Sequence, residues 1–235
     1  AALRSNTANP CPKSEEVEIL FVNIEEAIGW DPAIVIIANP ASLHLELALH
    51  FAPKNIPILI EKPVGLGTES KDDWSLLLEH SDDPCAAFVR EQLAQGALGL
   101  LISADFHCGS WLPHWRPDQD YRKTVSAQKS LGGGVLLELS HELDMAKWLL
   151  GPLDLSASLI QNSGLLELDV EDHAIILAKS KTSCMISIRL DFCTNPPKRC
   201  IVIRGTKAEL CWNLIKGSVT IAQLDLPEKC FDLGV

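Results

Sequence analysis

Lys62 is the first residue whose type and setting could do chemistry. It follows the apolar run at 57–60 and precedes Pro63. Such a run is typical of a strand buried on both faces, as in a parallel sheet covered by helices. In these sheets ligands bind outside the carboxyl ends of the strands, so Lys62 would reach a bound ligand. A solvated strand end without chemistry explains Glu61 and Lys62 equally well.

The second position is a histidine and aspartate pair on a predicted helix that follows three glycines at 132–134. His141 and Asp144 are three residues apart and therefore face the same side of that helix. A carboxylate beside an imidazole can fix its tautomer and suit it to proton transfer. The glycines let a ligand or another backbone segment approach closely. A purely structural hydrogen bond is the competing interpretation, and for an isolated pair it is favoured.

Composition limits the classes of partner. The chain has 235 residues and a formal net charge of -11, which disfavours nucleic acids and anionic membranes and favours a small-molecule ligand. No apolar run has the length of a membrane span, and the first residues do not have the pattern of a signal peptide. We therefore predict a cytoplasmic protein. The eight cysteines are scattered without a C-x-x-C pair. We expect reduced thiols, no disulfide framework and no metal site.

Apolar patterns predict two domains, at 1–89 and 90–235. The first alternates strands with helices, which indicates a doubly wound α/β domain. Its expected strands are at 17–22, 33–38 and 57–62, with a further apolar run at 85–89. The second begins with a helix at 90–95, has another helix ending at Leu150, and is otherwise mostly strands. In 184–192 apolar and polar residues alternate, which is typical of an antiparallel sheet with one buried face.

Four motifs occur in order along nearly the whole chain. They are Ala38-Asn39-Pro40 with His44, then Glu61-Lys62-Pro63, then the three glycines, then His141 with Asp144. In this order they resemble the glucose-fructose oxidoreductase and inositol dehydrogenase family (Gfo/Idh/MocA). The loop at 111–122, with Ser140-His141-Glu142, is similar to a branch of that family often linked with sugar modification.

The resemblance implies an NAD(P)-dependent oxidoreductase that acts on a secondary hydroxyl of a sugar, nucleotide sugar or polyol. It implies a Rossmann-like dinucleotide-binding domain and an α+β domain whose large, mainly antiparallel open sheet serves substrate binding and homo-oligomer contacts. Lys62 would contact the nicotinamide and the substrate hydroxyl, and His141 would accept the hydroxyl proton. This division of labour suits the reaction, because a hydride and a proton must leave the same carbinol.

The resemblance also gives roles to individual residues. The catalytic set is Lys62, Glu138, His141 and Asp144. The cofactor-binding set is Arg4, Ser5, Asn39, Pro40, His44, Glu61, Lys62 and Pro63. The substrate-binding set is Trp115, Arg116, Tyr121, Arg122 and His141. Arg4 can meet a 2′-phosphate, so NADP is mildly favoured over NAD, although a solvated arginine is equally consistent. Asn39 and His44 could instead only cap and turn the chain, and the loop at 111–122 could instead serve dimer contacts.

Two departures from the family pattern affect these expectations. Relatives carry an acid four residues before the histidine, where this chain has Leu137, so Glu138 takes that role or the role is absent. No G-x-G-x-x-G occurs in the sequence, so we expect the first strand, the glycine-rich turn and the first helix to be missing and the Rossmann-like domain to be incomplete. The chain could be a fragment, a spliced form or a decayed copy. The alternative function is a catalytically inactive relative that acts as a binding or assembly subunit.

Overall fold

The computed structural model describes residues 2–3, 19–21, 23–54, 56–61 and 84–234. The chain divides into two compact units, at 1–77 and 78–235. The domain boundary proposed from the sequence, between residues 89 and 90, falls within the first described helix of the second unit and stays a proposal. Four predicted site residues lie outside the described residues: Arg4, Ser5, Lys62 and Pro63.

In its described residues, the first unit has short parallel strand pairs and two α-helices. Its elements are β1 (Ala2–Leu3), β2 (Leu20–Phe21), α1 (Ile24–Gly29), β3 (Val35–Ile37), α2 (His44–Phe51) and β4 (Ile58–Ile60). β1 pairs with β2 and β3 pairs with β4, both in parallel. Asn23 caps α1, since its side-chain oxygen accepts a hydrogen bond of 2.8 Å from the Glu26 N–H. Ser42, a possible cap of α2 from its sequence position, lies instead in a 3-10 helix at Ala41–Leu43.

The second unit is an eight-stranded sheet with helices. Its elements are α3 (Pro84–Ala94), β5 (Leu101–Gly109), α4 (Val135–Glu138), α5 (His141–Leu150), β6 (Leu153–Gln161), β7 (His173–Ser180), β8 (Met185–Asp191), β9 (Lys198–Gly205), β10 (Glu209–Asn213), β11 (Ser218–Ala222) and β12 (Lys229–Asp232). The strand order is β12-β11-β10-β9-β5-β8-β7-β6, and β5 with β8 is the parallel pair. The predicted fold class, a small parallel sheet followed by a large and mainly antiparallel one, is confirmed.

The two faces of the large sheet differ in chemistry. Apolar side chains of its central strands, among them Phe106, Ile188 and Ile203, are buried, and α5 contacts β5 while α3 contacts β11. Residues that alternate with these on β5 and β8, such as His107 and Arg189, are polar and more exposed. The period-two pattern predicted at 184–192 is therefore confirmed, because each second residue points to the covered face.

One local prediction was wrong, and one strand was missed. The apolar run at 85–89 continues into the predicted helix at 90–95, and the two form one helix, α3, whose buried Cys85, Ala86 and Val89 share one side. The helix predicted to end at Leu150 is α5, and a short separate helix, α4, precedes it. The strand β12 was not predicted, since its four residues carry no alternating apolar pattern. No helix in the described part of the chain is both long and apolar enough to span a membrane.

Candidate active site around His141

Two of the three glycines at 132–134 are approached closely by other parts of the chain, Gly133 by backbone and Gly134 by a side chain. A Cβ on Gly133 would collide with the carbonyl oxygens of Val125 and Ser126. Gly134 has a φ of 111°, which favours glycine, and a Cβ there would meet the carboxylate of Glu171. The sequence left open whether a ligand or another backbone segment approaches these glycines. In the described structure a backbone segment lies against Gly133. Their close packing sets the start of α4 and hence the position of the residues that follow.

His141 is the first residue of α5, and its imidazole lies between two side chains. Nε2 is 3.3 Å from Oε1 of Glu142 and 3.9 Å from Sγ of Cys108 on β5. The imidazole is 25% exposed. It is therefore fixed on one side by the protein and remains reachable from solvent, as a proton-transfer group must be.

Glu142 is fully buried and shares one oxygen between two partners. Nε of Arg199 on β9 donates to Oε1 at 2.6 Å, the same oxygen that faces His141. Burial raises the pKa of Glu142, but the hydrogen bond from His141 and the charge of Arg199 outweigh it and leave the pKa below its usual value. Oε2 has no hydrogen-bond partner among the described residues. The site thus holds an ionised carboxylate against the imidazole.

Sequence reasoning missed Glu142 and Arg199. A signal for Glu142 was present, because it lies three residues after Leu139 and four before Ala146, both buried, and so on a buried stripe of the helix. A charge there needs a partner. Arg199 is 57 residues away and nothing in the local sequence points to it.

The other predicted catalytic residues lie on the two adjoining helices. Glu138 is the last residue of α4 and Asp144 is in the first turn of α5. Both are partly buried and both have interactions with other groups. The carboxylate found beside Nε2 of His141 is that of Glu142, so the tautomer argument made for Asp144 applies to Glu142.

The predicted substrate loop is held together by its own side chains. Nε1 of Trp115 donates to Oγ of Ser110 at 2.5 Å, and its ring meets that of Phe192 edge-on at 5.3 Å. Nε of Arg122 pairs with Asp120 at 2.8 Å. The loop is therefore ordered by the residues proposed to bind substrate.

Two further loop residues complete that predicted set. The hydroxyl of Tyr121 accepts from the backbone N–H of Glu167 at 3.1 Å, and Nη1 of Arg122 lies 3.4 Å from a carboxylate oxygen of the same residue. Arg116 is exposed. Both Tyr121 and Arg122 thus connect the loop to the segment before β7.

In the first unit the described cofactor candidates cluster after β3. Nε2 of His44, which is buried, lies 2.6 Å from the carbonyl oxygen of Asn39, and the carbonyl oxygen of Pro40 accepts from the Leu43 N–H at 2.8 Å. The backbone N–H of Glu61 donates to the Ile37 carbonyl at 2.8 Å, which extends the parallel pairing. Asn39 and Glu61 therefore follow the carboxyl ends of two paired parallel strands, as predicted.

The Asn39 side chain has an orphaned atom. Its Oδ1 is buried and has no hydrogen-bond partner among the described residues. Other atoms of Asn39 line a cavity of about 360 Å³ with apolar walls that include Trp30, Ile36 and Phe51. A buried polar atom without a protein partner is unusual and fits a site for a ligand that supplies the missing hydrogen bond.

The profile of the GFO/IDH/MocA C-terminal domain matches residues 87–211. That range holds more than half of the chain and includes His141, Glu142 and Arg199. The chain belongs to the Gfo/Idh/MocA family. The resemblance stated from the sequence motifs is thus confirmed.

Individual relatives of this Gfo/Idh/MocA chain agree with the profile. An uncharacterized oxidoreductase of Synechocystis sp. is 30% identical over 210 residues, which are 77% of this chain and 55% of that protein. Levoglucosan dehydrogenase in complex with NADH and levoglucosan superimposes with a TM-score of 0.77 and 21% identity, over 92% of this chain and 65% of that one. An inositol dehydrogenase homolog of Azotobacter vinelandii with NAD⁺ gives a TM-score of 0.70 and 15% identity, over 86% and 57% of the two chains.

The similarity to solved structures supports the fold, and the similarity in sequence supports membership of the family. This Gfo/Idh/MocA chain spans about half the length, or less, of the curated relatives it matches, at 55%, 34% and 47%.

Proposed function

We propose that the protein is an NAD(P)-dependent oxidoreductase that transfers a hydride to or from a secondary hydroxyl of a sugar, nucleotide sugar or polyol. One observation carries the proposal: a partly exposed imidazole, His141, lies against a buried and ionised carboxylate, Glu142, which Arg199 anchors. A family built around hydroxyl oxidation needs a group that takes the hydroxyl proton, and His141 is positioned for that role.

The orientation of the imidazole decides which nitrogen accepts the proton. An ionised carboxylate has only acceptor lone pairs, so Nε2 of His141 carries a proton and donates to Glu142. Nδ1 then keeps its lone pair and accepts the proton of the substrate hydroxyl. Glu142 stabilises the imidazolium that results, and Arg199 keeps the carboxylate ionised and in place. Glu142 and Arg199 are positioning residues in this mechanism, together with Glu138 and Asp144 on the adjoining helices.

The residues of the first unit fit a nicotinamide dinucleotide. Asn39 offers a buried acceptor at the carboxyl end of β3, and Pro40, His44 and Glu61 shape the same strand ends. When bound, the nicotinamide accepts or donates the hydride. Lys62 would bind it together with the substrate hydroxyl and stabilise alkoxide character there. The mild preference for NADP rests on Arg4, with Ser5 beside it, whereas the matched structures contain NADH and NAD⁺.

The loop at 111–122 supplies the substrate contacts in this proposal. Arg116 is exposed and able to bind an anionic or hydroxyl-rich group, while Trp115 offers an aromatic surface that suits a sugar ring. Tyr121 and Arg122 hold the loop in position. Cytoplasmic localisation accompanies this proposal as an expectation from composition.

The open face of the large sheet is the proposed homo-oligomer contact. Large apolar side chains stand exposed on neighbouring strands there, namely Leu159 on β6, Leu177 on β7 and Met185 on β8. Neighbouring exposed apolar groups favour burial against a second surface. Size-exclusion chromatography with light scattering measures whether copies of the chain associate.

Cofactor binding and turnover test the proposed function. The purified protein is titrated with NADH and NADPH by calorimetry, and its oxidation of a panel of sugars and polyols is followed by NAD(P)H absorbance. Residues 1–235 alone are expected to bind both dinucleotides very weakly or not at all, because the sequence has no G-x-G-x-x-G turn to hold the pyrophosphate. Saturable binding and turnover with at least one panel member are expected of a longer protein that supplies this turn. Absence of turnover in an oligomer that still binds sugar would support the assembly-subunit alternative.

Lys62→Ala tests whether this lysine takes part in hydride transfer or only in the fold. In a full-length, active form of the protein, loss of turnover with an unchanged circular dichroism spectrum is expected. Turnover within about 10-fold of the parent, or about 1.4 kcal/mol in the barrier, removes Lys62 from the mechanism.

A further inference from the structure

A second cluster of reactive side chains lies at the adjacent ends of β7 and β8. Asp172 directly precedes β7, His173 begins it, and Cys193 follows the end of β8. Since β7 and β8 are antiparallel neighbours with His173 opposite Asp191, the start of one strand lies beside the end of the other. Their pairing brings the thiol of Cys193 to the adjacent carboxylate and imidazole of Asp172 and His173, although Cys193 lies 21 residues after Asp172 in the chain.

The possible ligand atoms of this cluster lie close together, with His173 nearest one oxygen of Asp172 and Cys193 nearest the other. Nδ1 of His173 is 2.9 Å from Oδ1 of Asp172, and Sγ of Cys193 is 3.8 Å from Oδ2. One ligand atom from each residue lies within 4.8 Å of the other two. In a tetrahedral zinc site, with bonds of about 2.0–2.3 Å, ligand atoms are about 3.3–3.7 Å apart. Small side-chain rotations reach that spacing.

The surroundings hold the carboxylate and leave room for an ion. Asp172 is fully buried, and Ser163 fixes it with a backbone N–H at 2.8 Å and a hydroxyl at 2.5 Å. Such outer hydrogen bonds orient metal ligands. His173 and Cys193 line a cavity of about 370 Å³, whose walls also include Asp191, His107 and Arg189. The cavity gives an ion a route of entry and space for a fourth ligand.

We propose that Asp172, His173 and Cys193 bind a divalent transition-metal ion of the zinc class, with a water or small-molecule donor from the cavity as fourth ligand. Imidazole nitrogen, thiolate sulfur and carboxylate oxygen are the ligands that zinc takes in proteins. The proposal goes beyond the oxidoreductase function and does not depend on it. It also contradicts the expectation from cysteine spacing that no metal site exists.

Binding at this site has a defined proton balance. The S–H bond of Cys193 breaks, a metal–sulfur bond forms and the proton goes to solvent. In neutral His173 the proton moves from Nδ1, which now donates its lone pair to the metal, to Nε2. One proton is therefore released for each ion bound.

Cobalt(II) is the probe for this site, because its spectrum reports both thiolate ligation and tetrahedral geometry. The purified chain, freed of metal with a chelator, is titrated with Co²⁺ alone. We expect one Co²⁺ per chain, a thiolate-to-cobalt charge-transfer band in the near ultraviolet, and displacement of that band by Zn²⁺. Calorimetry in two buffers of different ionisation enthalpy should give about one proton released per ion. Absence of the band, or several ions per chain without saturation, overturns the proposal.

Matched variants locate the ion. Cys193→Ser and His173→Asn should each abolish the band or weaken Co²⁺ binding by about 100-fold or more, with circular dichroism unchanged. Cys230→Ser, on exposed β12, should change nothing. Cys108→Ser is the decisive control, since Cys108, His141 and Glu142 form the other group among the described residues with ligand atoms this close. A band that survives Cys193→Ser but disappears in Cys108→Ser overturns the proposal.

Discussion

Glu142 and Asp172 are both fully buried carboxylates in the second unit, yet different partners hold them. Glu142 meets a cation, Arg199, and an imidazole. Asp172 meets a hydroxyl, a backbone N–H, a thiol and an imidazole. Burial raises the pKa of both, and the hydrogen bonds and nearby charges lower it by more than burial raises it.

The comparison shows that the same ionised group can serve opposite purposes. The charge of Glu142 is balanced within the protein, so it can orient His141 without attracting an ion. The charge of Asp172 is stabilised mainly by neutral donors, which leaves a net negative charge that a cation can compensate. Four predictions test this contrast.

The largest effect is expected at His141, the group that the balanced carboxylate orients. His141→Asn should lower turnover by about 100-fold or more and flatten its pH dependence, because the variant cannot accept the hydroxyl proton. The measurement is kcat against pH in the NAD(P)-linked assay. His50→Asn, at the exposed end of α2, is the control and should keep the parental profile. An unchanged pH profile in His141→Asn would make this pair structural.

Glu142→Gln should lower the free energy of unfolding by about 2–3 kcal/mol at pH 7, because Arg199 loses its charged partner. The Arg199 side chain is 36% exposed, so water compensates part of this loss. The pKa of Glu142 is lowered in the folded state, so its ionised form stabilises the fold. This contribution to stability is complete at pH values above the ordinary pKa of 4.5 and is lost as the pH falls through the lowered pKa. The difference in unfolding free energy between parent and variant should therefore shrink below pH 4.5. Urea unfolding at several pH values measures it, and a constant difference would contradict the assignment.

Coupling between Glu142 and Arg199 is the next effect in size. A double-mutant cycle with Glu142→Gln and Arg199→Gln should give an interaction energy of about 1–2 kcal/mol at pH 7. Urea unfolding of the four proteins provides it. Additive effects would show that the contact at 2.6 Å contributes little.

The smallest effect is expected at Asp172 when metal is removed by a chelator. Asp172→Asn keeps the size of the side chain, and the Ser163 hydroxyl can turn to accept from the new amide, so the expected cost is about 1 kcal/mol. Thermal unfolding with and without Zn²⁺ checks it. Zn²⁺ should raise the melting temperature of the parent and not that of the variant. Equal costs for the Asp172 and Glu142 variants would remove the contrast between the two carboxylates.

The sequence was sufficient to predict the structure where that structure depends on a local pattern of residues. The alternation at 184–192 predicted which face of β8 is buried, because a strand repeats every two residues. The start of α1 is likewise a local matter, since Asn23 is of a residue type that caps helices and its side chain satisfies an N–H of the same helix.

Local pattern failed where distant segments meet. Arg199 reaches Glu142 from another strand, and Cys193 reaches Asp172 only because β7 and β8 pair. The run at 85–89 was misjudged because a short apolar stretch suits both a strand and a buried helix face, and only the continuing helix decides between them.

Consecutive residues of strand β5 belong to two polar clusters. Cys108 belongs to the cluster of His141 and Glu142, and His107 lines the same cavity as His173 and Cys193. Cys108 lies beside His141 on the covered side, and His107 lies 3.3 Å from Asp191 on the other. Adjacent residues of a strand point to opposite faces, so inserting or deleting one residue upstream in β5 would exchange these two side chains. The thiol would leave the imidazole and the histidine would enter the core. An in-frame gain or loss of one codon in β5 would therefore damage both clusters at once, whereas most single substitutions would damage one.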